Sequence, residues 1–215
     1  MVKVAPSLLS ADFSKIGEWL PVLEAAKTDM LQWDIMDNKY VPNFGNKIED
    51  IKLLRPKTKL FFDCHLMVQK PLEYLKQLKE FGADSATFHV ETVKDPLLAI
   101  KKIREHGLGA GIAVNNGVPV EKIFPFLGKA DIALVMGVQA GFGGQGFIPS
   151  SLEKVRALRK KISKKGLSCE IQVDGGIDLK TGKMAVEAGA DILVAGSFVF
   201  RHKSPKEAVL ALKRL

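Results

Sequence analysis

Short apolar runs alternate with longer amphipathic segments along the whole chain. The runs predict strands near residues 3–9, 30–36, 59–65, 85–90, 109–114, 132–138, 169–174 and 192–196. The amphipathic segments predict helices near residues 14–27, 47–55, 71–81, 95–106, 119–127, 150–165, 179–188 and 204–214. Gly82 and Gly107 follow two of these helices, as glycines that end helices commonly do. Strand–helix pairs in this order indicate a parallel sheet with crossover helices.

One short sequence occurs twice in nearly the same form. Residues 188–191 read Ala-Gly-Ala-Asp, residues 81–84 read Phe-Gly-Ala-Asp, and each leads from a helix into a strand. This repetition of one unit favours a single-domain (β/α)8 TIM barrel spanning residues 1–215. The alternative is an open doubly wound sheet. It would be expected to carry Gly-x-Gly-x-x-Gly after its first strand, and residues 5–10 contain no glycine.

The composition, 47% hydrophobic and 26% charged, is ordinary for a globular protein. No apolar run approaches the roughly 20 residues that span a bilayer, and the N-terminus lacks the pattern of a signal peptide. Cys64 and Cys169 fall in predicted strands and form neither a disulfide framework nor a metal pair. These features predict a cytoplasmic protein with no membrane partner.

The net charge of +8 has two interpretations. It could attract a polyanion, or it could reflect solvated helix faces with a mild attraction for small anionic substrates. The lysines of residues 159–165 lie in a helical pattern, and no aromatic residues interleave with them as base stacking would require. We therefore expect no nucleic-acid partner.

Acid–base side chains stand near the ends of three predicted strands. Asp34, His65 and Asp174 lie far apart in the chain, and side chains in a strand alternate between its faces. The three can converge only if the sheet curls into a barrel, whose chemistry lies at the C-terminal strand ends. Two carboxylates and an imidazole suit proton transfer near Zn, Mn, Fe or Co. A lone Asp is more often a helix cap, but three residues on matching faces favour a functional site.

Glycines follow the last three predicted strands. They include Gly143 and Gly144, then Gly175 and Gly176, then Gly196 beside Ser197. Glycine lets a ligand approach the backbone closely, and barrels commonly bind phosphate at the loops after strands seven and eight. Each pair alone would be interpreted as a turn, but together they favour a phosphate site.

Three methionines and one histidine lie at or near the same strand ends. Met36, Met67 and Met136 are either core residues or a soft apolar cover that would raise carboxylate pKa values by desolvation. His89, before Glu91, is either a further polar wall of the pocket or a buried histidine with satisfied hydrogen bonds.

Taken together, these segments resemble the ribulose-phosphate 3-epimerase family. The resemblance rests on residues 5–13, 34–37, 41–43, 63–68, 141–145, 173–177 and 195–197, in this order along nearly the whole chain. It implies a (β/α)8 barrel that interconverts D-ribulose 5-phosphate and D-xylulose 5-phosphate through an enediolate. It also implies a role in the pentose phosphate pathway and a homo-oligomer.

The resemblance also implies roles for individual residues. Asp34 and Asp174 would be the two acid–base carboxylates, on opposite faces of C3. One divalent metal ion would be held by Asp34, His65, Asp174 and one further histidine. The three methionines would cover the intermediate, and Ser7 would lie beside the sugar. The phosphate would be held by Ser197 and by the glycines of the loops, namely Gly143, Gly144, Gly175, Gly176 and Gly196.

The chain departs from the family pattern on the same face. The further histidine would fall at position 32, where the chain has Gln32, so Gln32 is expected to be a weak or indirect metal ligand. Other departures are Asn38, Lys39, Gly137, and Gln139 with Ala140. Two alternatives therefore stay open: an epimerase of another ketose phosphate, such as allulose 6-phosphate, and a non-catalytic phosphosugar-binding relative. Decarboxylases and synthases of similar fold are less favoured, because they would have a lysine at the position of His65.

Overall fold

The protein folds as eight parallel strands separated by helices. The structure is a computed structural model and describes residues 2–215. The strands are β1 Lys3–Pro6, β2 Met30–Met36, β3 Phe61–Met67, β4 Ser85–His89, β5 Gly109–Val114, β6 Ile132–Met136, β7 Glu170–Asp174 and β8 Ile192–Ala195. The sheet runs in the order β1-β8-β7-β6-β5-β4-β3-β2, and a single bridge between Ser7 and Gln32 joins its two ends. The predicted (β/α)8 TIM barrel is confirmed.

The helices fill the connections as the amphipathic pattern predicts, with local differences. They are α1 Ile16–Ala25, α2 Ile48–Leu54, α3 Leu75–Phe81, α4 Pro96–Glu105, α5 Ser151–Lys165, α6 Leu179–Ala188, α7 Ser197–Phe200 and α8 Pro205–Lys213. The helix predicted near 119–127 is instead a 3-10 helix, Val120–Phe126, that contains Pro125. Proline lacks the N–H that a longer α-helix would need there. The short α7 directly after β8 was not predicted.

Several strand boundaries also differ from the sequence prediction, and β6 ends at Met136, two residues before the end of its predicted run. β1 ends at Pro6, because the side chain of Ser7 accepts the backbone N–H of Leu9 and begins a 3-10 turn, Leu8–Ser10. β3 begins and ends two residues later than its apolar run suggests, at Phe61 and Met67. As a result, His65 lies within β3 and Met67 is its last residue.

The repeated aspartates connect neighbouring strands at the end of the barrel opposite the site. The Asp84 carboxylate accepts the backbone N–H of Phe62 at 2.7 Å and pairs with Arg55 at 3.0 Å. Asp191 does the same with the N–H of Ile171 at 2.8 Å and with Arg159. The aspartates of the repeated sequence therefore stabilise the N-terminal face of the barrel. Residues at this face commonly contribute to stability, whereas the chemistry lies at the opposite face.

Strand alternation divides the apolar residues into two layers. One layer lies between the sheet and the helices and includes Trp33, Cys64 and Phe88, all with no exposed surface. The other lies inside the barrel and includes Met30 and Leu134. Polar side chains of β2, β3 and β7 share this interior, so the sheet directs them toward its axis. No helix among residues 2–215 combines the length and the apolar character needed to cross a membrane.

Candidate active site

A cleft opens at the C-terminal ends of the strands. Its lining includes both predicted catalytic carboxylates and every predicted substrate-binding residue: Asp34, Asp174, Ser7, Met36, Met67, Met136, Gly143, Gly144, Gly175, Gly176, Gly196 and Ser197. His65 and Gln32 have no exposed surface. The structure therefore brings together residues that lie near both ends of the sequence.

Two carboxylates and one imidazole form a compact triangle. Asp34 lies beside His65 because β2 and β3 pair in that register. The Nδ1 atom of His65 is 3.1 Å from Oδ1 of Asp34 and 3.4 Å from Oδ2 of Asp174. A tetrahedral ion with bonds of about 2.0–2.1 Å separates its ligand atoms by roughly 3.3–3.4 Å. The donor set therefore fits a metal ion, and its ligand atoms lie within 4.8 Å of one another.

The charges of this triangle depend on one another. Burial disfavours the His65 imidazolium, but hydrogen bonds with Asp174 and Asp34 outweigh it and raise the pKa of His65 to about 9. Burial also raises the pKa of Asp174, and the nearby Asp34 carboxylate adds to this effect. In the metal-free protein, a proton on His65 thus occupies the position between the carboxylates that a cation would take.

Asp34 is held from three sides. The hydroxyl of Ser7 donates to its Oδ2 at 2.5 Å. Its backbone N–H donates to Oδ1 of Asn46 at 3.0 Å, and its carbonyl accepts the N–H of Asn46 at 2.7 Å. Gly45 packs so closely that a Cβ there would lie 1.9 Å from the carbonyl oxygen of Asp34. Sequence patterns did not identify Asn46 or Gly45, because their role depends on a loop that folds back onto β2.

Gln32 lies beneath the triangle, in a buried polar layer. Its Nε2 is 3.5 Å from Oδ1 of Asp34, and its Oε1 accepts from Gln172 at 3.4 Å. The Gln172 amide also donates to Asp63 at 2.9 Å, and Asp63 accepts from Ser85 at 2.6 Å. In this arrangement the Gln32 amide presents its NH₂ group, and not its oxygen, toward Asp34.

His89 extends the polar interior behind His65. The two Nε2 atoms are 2.8 Å apart, and Nδ1 of His89 lies 3.5 Å from Glu91. Burial lowers the pKa of His89 to about 4, so the ring is neutral near pH 7. The alternative interpretation of His89 as a wall of the pocket does not hold, because the ring has no exposed surface and does not line the cleft.

The glycines of three loops crowd the other side of the cleft. Gly144 and Gly176 have φ values of +75° and +66°, which favour glycine. A Cβ at Gly196 would lie 2.6 Å from the hydroxyl of Ser10. Gly137, one of the departures from the family pattern, has no room for a side chain, because a Cβ there would meet the carbonyl oxygen of Gly175 at 2.6 Å.

The fold and the site together define a (β/α)8-barrel protein with a buried centre of two carboxylates and one imidazole, suited to a metal ion. Residues 3–200 match the profile of the ribulose-phosphate 3 epimerase family. The chain belongs to this family, and the resemblance found in the sequence is confirmed.

Curated relatives agree with this assignment. The chain is 41% identical over 216 residues to the ribulose-phosphate 3-epimerase, cytoplasmic isoform, of Oryza sativa, covering 99% of this chain and 93% of that protein. It is 40% identical over 211 residues to ribulose-phosphate 3-epimerase of Mycobacterium tuberculosis, covering 98% and 91%. The enzyme of the same name from Schizosaccharomyces pombe is 40% identical over 214 residues, covering 98% and 92%.

Solved structures at low identity share the fold. KGPDC from Streptococcus mutans, in a complex with a sugar phosphate, has a TM-score of 0.71 at 16% identity, covering 99% of this chain and 96% of that one. The 3-hexulose-6-phosphate synthase of Salmonella typhimurium has a TM-score of 0.67 at 17% identity, covering 99% and 97%. At this identity the likeness concerns the barrel alone.

Proposed function

We propose that the protein is an isomerase that inverts C3 of a ketose phosphate and interconverts D-ribulose 5-phosphate and D-xylulose 5-phosphate. The observation that carries the proposal is the pair of buried carboxylates, Asp34 on β2 and Asp174 on β7, both within reach of His65 in one cleft. Membership of the epimerase family supports the same reaction.

Inversion at a carbon next to a carbonyl needs one group to remove a proton and a second group to return one from the other face. Asp34 and Asp174 come from different strands and both line the cleft, so they can serve as this pair. The raised pKa of Asp174 favours its role as a proton carrier, since an acid is most effective when its pKa approaches the working pH.

The ligand triangle supports a metal-dependent version of this reaction. Asp34, His65 and Asp174 would hold one divalent ion, and their N and O donors suit Zn, Fe, Mn or Co. Such an ion would supply electrostatic stabilisation of the negative charge that develops on the enediolate oxygens. Gln32 would act indirectly, because its NH₂ group faces Asp34.

The remaining lining residues would bind and shield the substrate. The glycine loops and Ser197 would hold the phosphate through backbone N–H groups, as bare glycine loops do for anions. Met36, Met67 and Met136 would cover the reacting carbons and exclude water. Ser7 would lie by the sugar while it donates to Asp34.

We extend the proposal to the setting of the protein. The rice relative is described as a cytoplasmic isoform, and we propose a cytoplasmic location here as well. The proposed partner is a small sugar phosphate rather than nucleic acid or a membrane. We also propose a homo-oligomer, which a measurement of mass in solution would test.

The test is an epimerisation assay with purified protein, added Zn, Fe, Mn or Co, and D-ribulose 5-phosphate in D₂O. We expect xylulose 5-phosphate to form with deuterium at C3. Asp34→Asn and Asp174→Asn should each lower the rate by about 10²–10⁴-fold or more, because each removes a proton carrier. Asp95→Asn is a matched control, since Asp95 caps α4 and does not line the cleft, and asparagine caps equally well.

Three results would overturn the proposal. If either catalytic variant kept more than a tenth of the wild-type activity, that carboxylate would not be a proton carrier. If D-allulose 6-phosphate were turned over faster than D-ribulose 5-phosphate, the physiological substrate would be a different ketose phosphate. A protein that bound sugar phosphate but turned over neither substrate would be a non-catalytic relative.

A further inference from the structure

A line of polar side chains runs from the far side of His65 to the rim of the barrel. The Nε2 of His65 is 2.8 Å from Nε2 of His89, and Nδ1 of His89 is 3.5 Å from Oε1 of Glu91. The same Glu91 oxygen accepts the hydroxyl proton of Tyr40 at 2.7 Å. His89 has no exposed surface, while the Glu91 side chain is 22% exposed. None of these outer residues belongs to the proposed ligand set.

The direction of the hydrogen bonds is fixed at the outer end. Oδ1 of Asn115 accepts the backbone N–H of Asn116 at 2.8 Å, so the amide of Asn115 cannot be turned around. Its Nδ2 therefore donates to the hydroxyl of Tyr40 at 3.3 Å. The proton of that hydroxyl is then directed to Glu91, whose carboxylate can only accept.

The contacts of His89 indicate which of its ring nitrogens carries the proton. Its Nδ1 is buried, and among residues 2–215 it has no partner nearer than Glu91, at a distance longer than a well-formed hydrogen bond. With the proton on Nε2 instead, Nδ1 would turn its lone pair toward the negative carboxylate of Glu91, so Glu91 favours the tautomer with the proton on Nδ1. A neutral His89 then presents a lone pair at Nε2, toward His65.

The tautomer of His65 follows from that lone pair. Two facing ring nitrogens 2.8 Å apart need one proton between them, so His65 carries it on Nε2. Its Nδ1 faces Asp34 and Asp174, and once an ion displaces the proton held there, Nδ1 offers the lone pair that a metal ion needs. Packing supports this alignment, because the His89 ring lies 5.0 Å from the rings of both His65 and Tyr40.

We propose that Glu91, acting through His89, is a positioning residue that holds His65 in the tautomer whose Nδ1 binds the ion. The inference rests on the proposed metal-dependent function and assigns His89 and Glu91 a part in it. Partners of this kind typically change metal affinity by about 10–100-fold when they are removed.

The experiment measures Co²⁺ affinity by competition with a chelator, together with the visible spectrum of the Co²⁺ protein. Glu91→Gln keeps the shape of the side chain and removes its charge, and it should weaken binding by about 10-fold. His89→Leu should weaken it by about 10–100-fold, while His89→Gln, which restores an acceptor for Nε2–H of His65, should recover part of the loss. Tyr40→Phe should have a smaller effect in the same direction.

Thr87→Val is the matched control. Thr87 lies two residues before His89 on β4, is equally buried, and its hydroxyl has no hydrogen-bond partner in the part of the chain that the structure describes. Affinity should be unchanged in this variant. If His89→Leu did not fold, as judged by circular dichroism, the Glu91→Gln and Tyr40→Phe variants would carry the test.

The results separate this inference from the function on which it rests. If wild-type protein bound Co²⁺ and both Glu91→Gln and His89→Leu bound it equally well, the positioning role would be wrong while the metal site stood. Equal losses in His89→Gln and His89→Leu would also contradict it, because the acceptor would then have no part in binding. If wild-type protein bound no Co²⁺, both the metal-dependent function and the inference would fail.

Discussion

The hydroxyl of Ser7 donates a 2.5 Å hydrogen bond to Oδ2 of Asp34. The contact joins the end of β1 to β2 at the only backbone bridge recorded between these strands in residues 2–215, the one from Ser7 to Gln32. The serine that the family resemblance places beside the sugar is thus also a direct partner of a proposed catalytic carboxylate. Its hydroxyl proton is directed to Asp34, so a sugar hydroxyl would meet Ser7 as an acceptor.

Ser7→Ala should therefore lower kcat/KM by about 10-fold or more. A hydrogen bond to a charged group contributes about 1.5–3 kcal/mol, and each 1.4 kcal/mol is a factor of about ten. Ser14→Ala is the control, because Ser14 donates to Asp12 at 2.6 Å outside the cleft. Steady-state kinetics of both variants measures kcat/KM. A value for Ser7→Ala within twofold of wild type would contradict the prediction.

Gly45→Ala should displace the end of β2. The added Cβ would lie 1.9 Å from the carbonyl oxygen of Asp34, so backbone must move. We expect a loss of roughly 1–3 kcal/mol in the free energy of unfolding and a large loss of activity. Gly17→Ala, in α1 with no atom within 4 Å of its Cβ, should instead be neutral or stabilising. Denaturant unfolding should therefore show a loss of stability in Gly45→Ala and no loss in Gly17→Ala.

Metal affinity should fall as the pH is lowered. With a pKa of about 9, His65 is protonated in the metal-free protein at neutral pH, and an ion must displace that proton. Affinity should then drop by about tenfold for each unit of pH below about 9, and more steeply at lower pH, because the pKa of Asp174 is also raised. Calorimetry in buffers of different ionisation enthalpy counts the protons released. Release of none at pH 7 would show that His65 is neutral before the ion binds.

Gln32→His should tighten metal binding by about 10-fold or more. An imidazole nitrogen is a better ligand for zinc-type ions than an amide, and position 32 shares the inward face of Asp34. Gln32→Met, of similar size but without the amide, serves as the comparison. Chelator competition on the three proteins measures the effect. Equal affinity in wild type and Gln32→His would mean that position 32 lies outside the reach of the ion.

The alternation of side chains between the two faces of a strand was enough to predict which residues of the site point into the barrel. Asp34 and His65 are neighbours because both point inward from paired strands, and a period of two predicts that much. The sequence could not predict Asn46, whose bonds to Asp34 depend on the path of a loop. It left two interpretations of His89 open, because the nitrogen that faces His65 depends on how two rings are turned within the barrel.

The 3-10 segment Val120–Phe126 shows a different limit of sequence patterns. Its apolar spacing is compatible with an α-helix, but Pro125 lies inside the segment and lacks the N–H that an α-helical hydrogen bond would need. The site is unaffected, since these residues do not line the cleft.

The sparse pairing of β1 with β2 has a consequence for motion. Every other neighbouring pair of strands shares a continuous ladder of at least three residue pairs, whereas these two share one bridge. The barrel should open most readily along this line, so amide hydrogens near it should exchange with solvent sooner than those of β3 to β7. Asp34 lies on this line and is held there by Asn46. One of the two proposed acid–base residues thus belongs to a strand that is paired over seven residues with β3 on one edge and held by a single bridge on the other.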